Sequence, residues 1–225
     1  MDTSTLLIGI AGQKGHGKDT VAQAMRDHIL EGGIMPSAEV HIMHFADPLK
    51  SEVAQFLAAL PAPPDSLFGR HHVPDDDWMT TEENFFYAMN GTPEEKAPFR
   101  LLLQWWGTEY RRGNFGDTYW TDQLRKGIES KIAQRPHYCD RTIIIVPDMR
   151  FPNEANFIYE LGGYALRVVR EGAGGSEDAH PSERALDDYE LPVYVNKTRE
   201  DWEYHLREDA LSILQAMVDW KWSGR

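Results

Sequence analysis

The chain has 225 residues, 41% of them hydrophobic, and a formal net charge of −13 at pH 7. That length suits one α/β domain with a sizeable core, with room for an inserted subdomain. The charge argues against broad nucleic-acid or membrane-surface binding, since long-range repulsion opposes both, and no apolar stretch is long enough to span a bilayer.

The single Cys139 excludes an internal disulfide, and no Cys/His cluster has metal-ligand spacing. Met1 to Thr5 lacks the basic region of a leader peptide, so a cytoplasmic location is expected. A site for an anionic substrate on so acidic a chain must concentrate its arginines locally.

Leu6-Leu7-Ile8-Gly9-Ile10 reads as a strand that runs into Gly12-Gln13-Lys14-Gly15-His16-Gly17-Lys18-Asp19-Thr20 and then into a helical pattern through Val21, Ala22, Met25 and Ile29. Strand, glycine turn and helix with Lys18 at the junction is the layout of a phosphate-binding P-loop. Glycines at 12, 15 and 17 let consecutive N–H groups point inward around an anion, and the helix dipole adds positive potential at the same point. The residue after the lysine is Asp19 where the pattern has a hydroxyl, which arrives one place later at Thr20. A carboxylate beside phosphates needs a cation between them, so Asp19 is expected to face Mg²⁺, directly or through water.

Val40 to Phe45 reads as a second strand, followed by Asp47 and Pro48 as cap and first residue of a helix through Val53, Phe56, Leu57 and Leu60. Asp47 is equally a plain N-cap and a candidate ligand at the carboxyl end of a strand, with Lys50 close behind. Residues 61–97, rich in proline and carrying Asp75 to Asp77 and Gly69-Arg70-His71-His72, read as an irregular insertion. From Phe99 to Arg112 helical spacing returns. Arg100, Gln104, Thr108 and Arg111 or Arg112 form a polar ladder on it, which on a surface helix is usually a solvated face, and Trp105, Trp106 and Trp120 flank it as rings that could sandwich a base.

A helix from Asp117 to about Gln134 leads to Arg141-Thr142-Ile143-Ile144-Ile145-Val146, a strand apolar on both faces as parallel strands are. Asp148 stands at its carboxyl end, where P-loop folds keep a second carboxylate near Mg²⁺. Arg150 and Glu154, four apart, are spaced for a salt bridge that would aim the guanidinium at a phosphate, or form a plain helix-start pair. A helix over 156–161 and a strand over 165–170 follow, bringing Arg167 and Arg170. The glycine-rich stretch after Arg170, to about residue 190, reads equally as a closing lid and as a surface excursion. A fifth strand over 191–195 reaches Asn196, and the amphipathic segment 199–220 forms the terminal helix. Its tryptophans suit the core and a dimer interface alike, and a homodimer is weakly favoured.

The Gly-Lys-Asp-Thr of the P-loop, Phe45-Ala46-Asp47-Pro48-Leu49-Lys50, Leu103-Gln104 with Gly107-Thr108-Glu109, Asp148 through Glu154, and His180-Pro181-Ser182-Glu183 together resemble the deoxynucleoside monophosphate kinases of bacteriophages. The resemblance spans residues 6 to 215 in five separated motifs. It implies the P-loop NTPase fold: a five-stranded parallel sheet with helices on both faces, in one domain over 1–225. Within that domain it implies a helical monophosphate-binding region over about 47–135 and a lid over about 170–190.

The implied reaction moves the γ-phosphoryl group of ATP, with Mg²⁺, to a deoxynucleoside monophosphate. On the ATP side it uses Gly12, Lys14, Gly15, His16, Gly17, Lys18, Asp19 and Thr20, with Arg167 and Asn196. Lys18, Asp148, Arg150 and Arg170 are the expected catalytic set. Asp47, Lys50, Arg70, Arg100, Gln104, Trp105, Thr108, Arg111, Trp120, Arg150 and Glu154 are expected around the acceptor. Two rivals stay open: a P-loop kinase of another small acceptor resembling dephospho-coenzyme A, and a regulatory ATPase.

Overall fold

The computed structural model describes residues 3–31, 35, 37–60, 81–170, 184–196 and 202–223. They form two compact units, Met1–His44 with Leu124–Arg225, and Phe45–Gln123.

The first unit is built on a five-stranded parallel sheet of order β2-β3-β1-β4-β5. Its strands are β1 (Thr5–Ala11), β2 (Ala38–Ile42), β3 (Arg141–Met149), β4 (Tyr164–Arg170) and β5 (Val193–Asn196). Every residue of β1 is buried, which is what a strand covered by helices on both faces requires. Leu6, Ile8 and Ile10 share one face with Ile143, Ile145, Leu166 and Val168. They pack against helix α1 (Lys18–Leu30) through Val21, Met25 and Ile29, and against the terminal helix (Trp202–Ser223) through Leu206, Ala210, Leu214 and Val218. The last four recur every fourth residue, the spacing of one helix face.

The helix Pro152–Glu160 lies against the opposite face, where a Cβ on Gly9 would stand 2.9 Å from Ile158 Cγ1. Arg125, on the helix Tyr119–Ala133, places its guanidinium 5.0 Å from the centroid of the Phe157 ring on that same helix. The expected α/β class, with a parallel five-stranded sheet and helices on both faces, is therefore the observed one.

The second unit is helical. Its core joins Val53, Ala54 and Leu57 of α2 (Ala46–Ala58) to Phe85, Ala88 and Met89 of α3 (Thr81–Asn90), with Phe99, Trp106 and Trp120. Lys50 Nζ donates to Asn90 Oδ1 at 2.6 Å, tying α2 to α3 at the surface.

Two expectations about this unit are corrected. Residues 81–97 are not irregular: α3 is followed by a helical turn at Pro93–Lys96 and a 3₁₀ turn at Ala97–Phe99. Phe85, Ala88 and Met89 have the spacing of a buried helical stripe, and Glu82 and Glu83 in the first turn suit the helix dipole. Thr92 and Glu95 then form a reciprocal capping box, Thr92 N–H to Glu95 Oε2 at 2.5 Å and Glu95 N–H to Thr92 Oγ1 at 3.3 Å. The other correction concerns Asp47 and Pro48, which sit inside the first turn of α2, because β2 ends at Ile42 and the buried Phe45 takes the cap position with a helical backbone, φ −59° and ψ −28°. Asp47 still meets the positive end of the helix dipole from there.

One glycine in the first unit, Gly163, packs directly against backbone. A Cβ at Gly163 would lie 2.6 Å from the Leu7 carbonyl oxygen and 3.0 Å from that of Ile158. Backbone has little freedom to yield, so Gly163→Ala is expected to destabilise the protein by about 2 kcal/mol, the scale of a core overpacking. Urea denaturation with an unchanged m-value checks it.

Candidate phosphate-binding site

The loop between β1 and α1 is shaped by three glycines with positive φ: Gly12 at 155°, Gly15 at 83° and Gly17 at 92°. Gly15 has open space around a hypothetical Cβ, so its backbone conformation alone favours glycine there. Gly12 is limited by a close approach as well, since a Cβ would stand 2.6 Å from the Val168 carbonyl oxygen of β4. Inside the loop the His16 N–H donates to the Gln13 carbonyl at 3.2 Å, and Lys18 Nζ donates to the same oxygen at 3.4 Å.

Among the described residues the amides of Lys14, Gly15 and Gly17 have no protein acceptor. His16, 6% exposed, has its Nδ1 buried without a partner there. A turn of unused donors beside a lysine and a helix N-terminus fits an anion with several oxygens.

Sheet register brings the neighbouring candidates to this loop. Ala11 is opposite Met149 on β3 and Arg167 on β4, so Gly12 leaves the sheet between the ends of those strands. Gly9 faces Val146 while Ala11 faces Met149, so β3 carries one extra residue in the Pro147–Asp148 stretch. Proline cannot donate to a ladder and a bulge re-aims the side chain beside it, which gives Asp148 its half-buried setting just before the strand ends. Asp19 is exposed in the first turn of α1, and Thr20 half-buried.

Two arginines behave differently from expectation. No Arg150–Glu154 ion pair forms. Glu154, 2% exposed, accepts through Oε2 from the backbone N–H groups of Arg150 at 2.7 Å and Phe151 at 3.1 Å. The carboxylate caps its own helix from the third position, an arrangement available to Glu before a helix that Pro152 opens. It therefore fixes the backbone of Arg150, whose exposed side chain makes no bond to a described residue.

Arg167 is engaged with the chain itself. Its guanidinium donates to the carbonyls of Leu186, of Asp187 at 3.3 Å and of Tyr189 at 3.0 Å, which pins the 186–189 turn to β4. That is a structural clamp, and carbonyls so placed satisfy the guanidinium before any phosphate does. Arg170 ends β4 paired in register with Asn196, and the Asn196 side chain lies outside the described residues. So do Arg70, the histidines at 71 and 72, and the 171–183 part of the expected lid with His180, Ser182 and Glu183.

In the second unit the polar ladder is broken by a change of helix type. Arg100–Trp105 is α-helical, but Trp106–Arg112 is a π-helical stretch. The wider turn aligns residues five apart, so Trp105 stacks on Tyr110 with centroids 5.5 Å apart and planes 9° from parallel. Arg111 leaves the line of Arg100, Gln104 and Thr108 and comes beside Trp106. There Glu52 of α2 gathers three donors: Arg111 Nε at 2.6 Å, Trp106 Nε1 at 3.0 Å, and the Tyr119 hydroxyl.

Trp120, 3% exposed, donates its indole N–H to the Gly107 carbonyl at 3.0 Å and is core. Of the three tryptophans only Trp105, half exposed, presents a free ring surface, while Arg100 and Thr108 are exposed and Gln104 half-buried. Glu52 was not among the sequence candidates. Its signal was a charge on the apolar stripe of Leu49, Val53, Phe56 and Leu57.

What a donor-lined turn of this kind holds is a phosphate chain, and the class defined by the fold and the loop is that of the P-loop phosphotransferases. Over 211 residues the chain is 32% identical to the protein of Acanthamoeba polyphaga mimivirus named "Putative deoxynucleotide monophosphate kinase", spanning 88% of this chain and 92% of that one. The chain belongs to that kinase family. The relative is encoded by a virus of an amoeba, so the match supports the kinase and not a bacteriophage source.

No protein-family model matches the chain. The solved structure of APE1195 aligns over 96% of this chain and 97% of that one with a TM-score of 0.41 and 14% identity. A sugar kinase from Janibacter sp. HTCC2649 aligns over 95% and 98% with a TM-score of 0.38 and 13% identity. Likeness at that level adds nothing to the assignment.

Two measurements check the site. Removing the Glu154 carboxylate orphans two amides, so Glu154→Ala is expected to cost about 2 kcal/mol in denaturant unfolding. The Tyr119 hydroxyl is pushed up to about 12 by burial, then by its hydrogen bond to Glu52 and the charge of that carboxylate. A phenol whose folded value exceeds its unfolded value near 10 contributes stability fully present below pH 10, and that contribution is lost as pH rises towards 12. Burial also raises Tyr159 and Tyr164, so tyrosinate absorbance should show several late-titrating groups, of which Tyr119→Phe removes one.

Proposed function

We propose that the chain transfers the γ-phosphoryl group of ATP to a deoxynucleoside 5′-monophosphate, giving the diphosphate and ADP. The observation that carries the donor half is the P-loop, where the amides of Lys14, Gly15 and Gly17, without an acceptor among the described residues, lie close in sequence to Lys18. The family relationship supports a kinase, and the name of the mimivirus relative supports the acceptor class.

Phosphoryl transfer needs alignment and neutralisation of oxygen charge more than covalent help from the protein. Gly12 to Thr20 wrap the phosphates of ATP, and Lys18 exchanges its long contact with Gln13 for a β- or γ-oxygen. Arg150, held at its backbone by Glu154 and with no guanidinium partner among the described residues, supplies a second cation, with Arg170 a third. Asp19 and Asp148 are the carboxylates suited to Mg²⁺, which takes one or two protein carboxylates together with waters and phosphates. When bound, such an ion would neutralise charge on the phosphate oxygens as the P–O bond to the departing ADP breaks. A monophosphate is a nucleophile near neutral pH, so no strong general base is required. On the acceptor side Asp47, Lys50, Arg100, Gln104, Trp105, Thr108 and Arg111 are the described candidates.

The test is ADP formation from ATP with each of the common dNMPs and rNMPs, and with dephospho-coenzyme A as a control acceptor. Turnover is expected with at least one dNMP and little without acceptor. Lys18→Ala is expected to lower kcat/KM by about 10³-fold, the scale of losing one preorganised charge contact. Activity on dephospho-coenzyme A alone, or full activity of Lys18→Ala, would sink the reading.

A further inference from the structure

The helix that starts at Arg100 changes type at Trp106, and two pairs of side chains five positions apart then share a side. Trp106 Nε1 at 3.0 Å and Arg111 Nε at 2.6 Å donate to a single oxygen of Glu52, and Trp105 lies flat against Tyr110. Five is the spacing that a π turn aligns, whereas an α turn brings together residues three and four apart. In an α-helix Trp106 and Arg111 would not meet at one atom of α2.

The local sequence does not ask for the wide turn. Trp106-Gly107-Thr108-Glu109-Tyr110-Arg111-Arg112 contains no proline, and the i→i+4 ladder is the ordinary helix of such a run, the i→i+5 one being rare. Trp120 donates to the Gly107 carbonyl and so anchors the start of the stretch, a bond compatible with either ladder. Of the four rings around the Arg111 guanidinium, those of Trp106, Tyr110 and Phe115 belong to the same segment and move with it, and the fourth, Tyr119, is itself bonded to Glu52. Glu52 is thus the group on α2 that grips the far end. Beyond that end the chain has slack, because Gly113–Phe115 is followed by Gly116 at φ 95° with open space around it. A rotation of the segment can be absorbed there, before the helix Tyr119–Ala133 begins.

We infer that Trp106–Arg112 is a two-register element and that the Glu52 carboxylate is the latch that holds it in the π form. Without the carboxylate Arg111 is left half-buried with no counter-charge among those contacts, a costly state for a cation. The α register relieves it by carrying Arg111 to the side of Arg100 and Thr108, which are exposed. The latch does not depend on which substrate the chain takes.

Crystal structures of full-length Glu52→Leu and Arg111→Met, with near-UV circular dichroism of both in solution, test the latch. Leucine suits the apolar stripe of α2, and Arg111→Met leaves Glu52 the donors of Trp106 and Tyr119, so the second variant decides the matter should the first not fold. In each folded variant the backbone bonds of 106–112 are expected to pass from i→i+5 to i→i+4. The stacked Trp105–Tyr110 pair should separate, with a matching change in the near-UV spectrum. A folded variant of either kind that keeps the i→i+5 bonds and the stacked pair overturns the inference, since packing and not the carboxylate would then set the wide turn.

Discussion

The approach of Gly12 to the Val168 carbonyl sets where the phosphate loop can lie. Any side chain at that position would collide with backbone of β4 at 2.6 Å, so the chain can turn off β1 this tightly only with hydrogen as its substituent. The consequence extends beyond the turn. With Gly12 seated against β4, Ala11 is held opposite both Met149 and Arg167, and the ends of three strands bring the loop, Asp148 and Arg150 to one edge of the sheet. A parallel sheet does this without special design, because all its strands deliver their carboxyl ends to the same side. The glycine decides how close the loop comes.

In the helical unit the comparable constraint is electrostatic. Glu52 lies on the apolar stripe of α2, where an unpaired carboxylate would be costly, and the structure offsets the cost with three donors from two separate segments. Those donors can converge only because the helix after Trp105 widens. An α-helical turn would place Arg111 with Thr108, Gln104 and Arg100, and an α-helix from 100 to 112 would leave Glu52 short of a partner. The π-helical stretch and the carboxylate explain each other, and the stacked Trp105–Tyr110 pair follows from the same five-residue spacing.

Which parts were legible in the sequence follows from the range of the forces involved. β1, β3 and the loop could be read directly, because continuous apolar runs and glycines at fixed spacing are local signals. The helix Thr81–Asn90 was hidden by the prolines around it, though Phe85, Ala88 and Met89 carried its period. Arg150 and Glu154 were rightly paired by spacing but not by atom: the carboxylate binds backbone N–H groups at the helix start, a choice that residue spacing cannot distinguish from an ion pair. Arg167 was misread for a longer-range reason. Its carbonyl partners lie nineteen to twenty-two positions onward, and only the folded chain brings them to the guanidinium. Trp120 was taken for a ring that a base could meet, and the Gly107 carbonyl shows why it is core instead.

Charge bookkeeping then links the two halves of the proposed activity. A chain of net charge −13 must keep cations free wherever it handles phosphates, and many of its arginines are not free. Arg167 is saturated by carbonyls, Arg111 is neutralised by Glu52, and Arg125 and Arg141 lie over the rings of Phe157 and Trp222. Among the described residues of the sheet unit, Lys14 within the P-loop and Arg150 just past the end of β3 have exposed side chains that make no internal bond. In the helical unit Arg100 is in the same condition. Among the described residues, Lys14 and Arg150 are thus the cations near the loop that make no internal contact. A phosphate is recognised by charge, so on an acidic chain these open side chains are the ones suited to it.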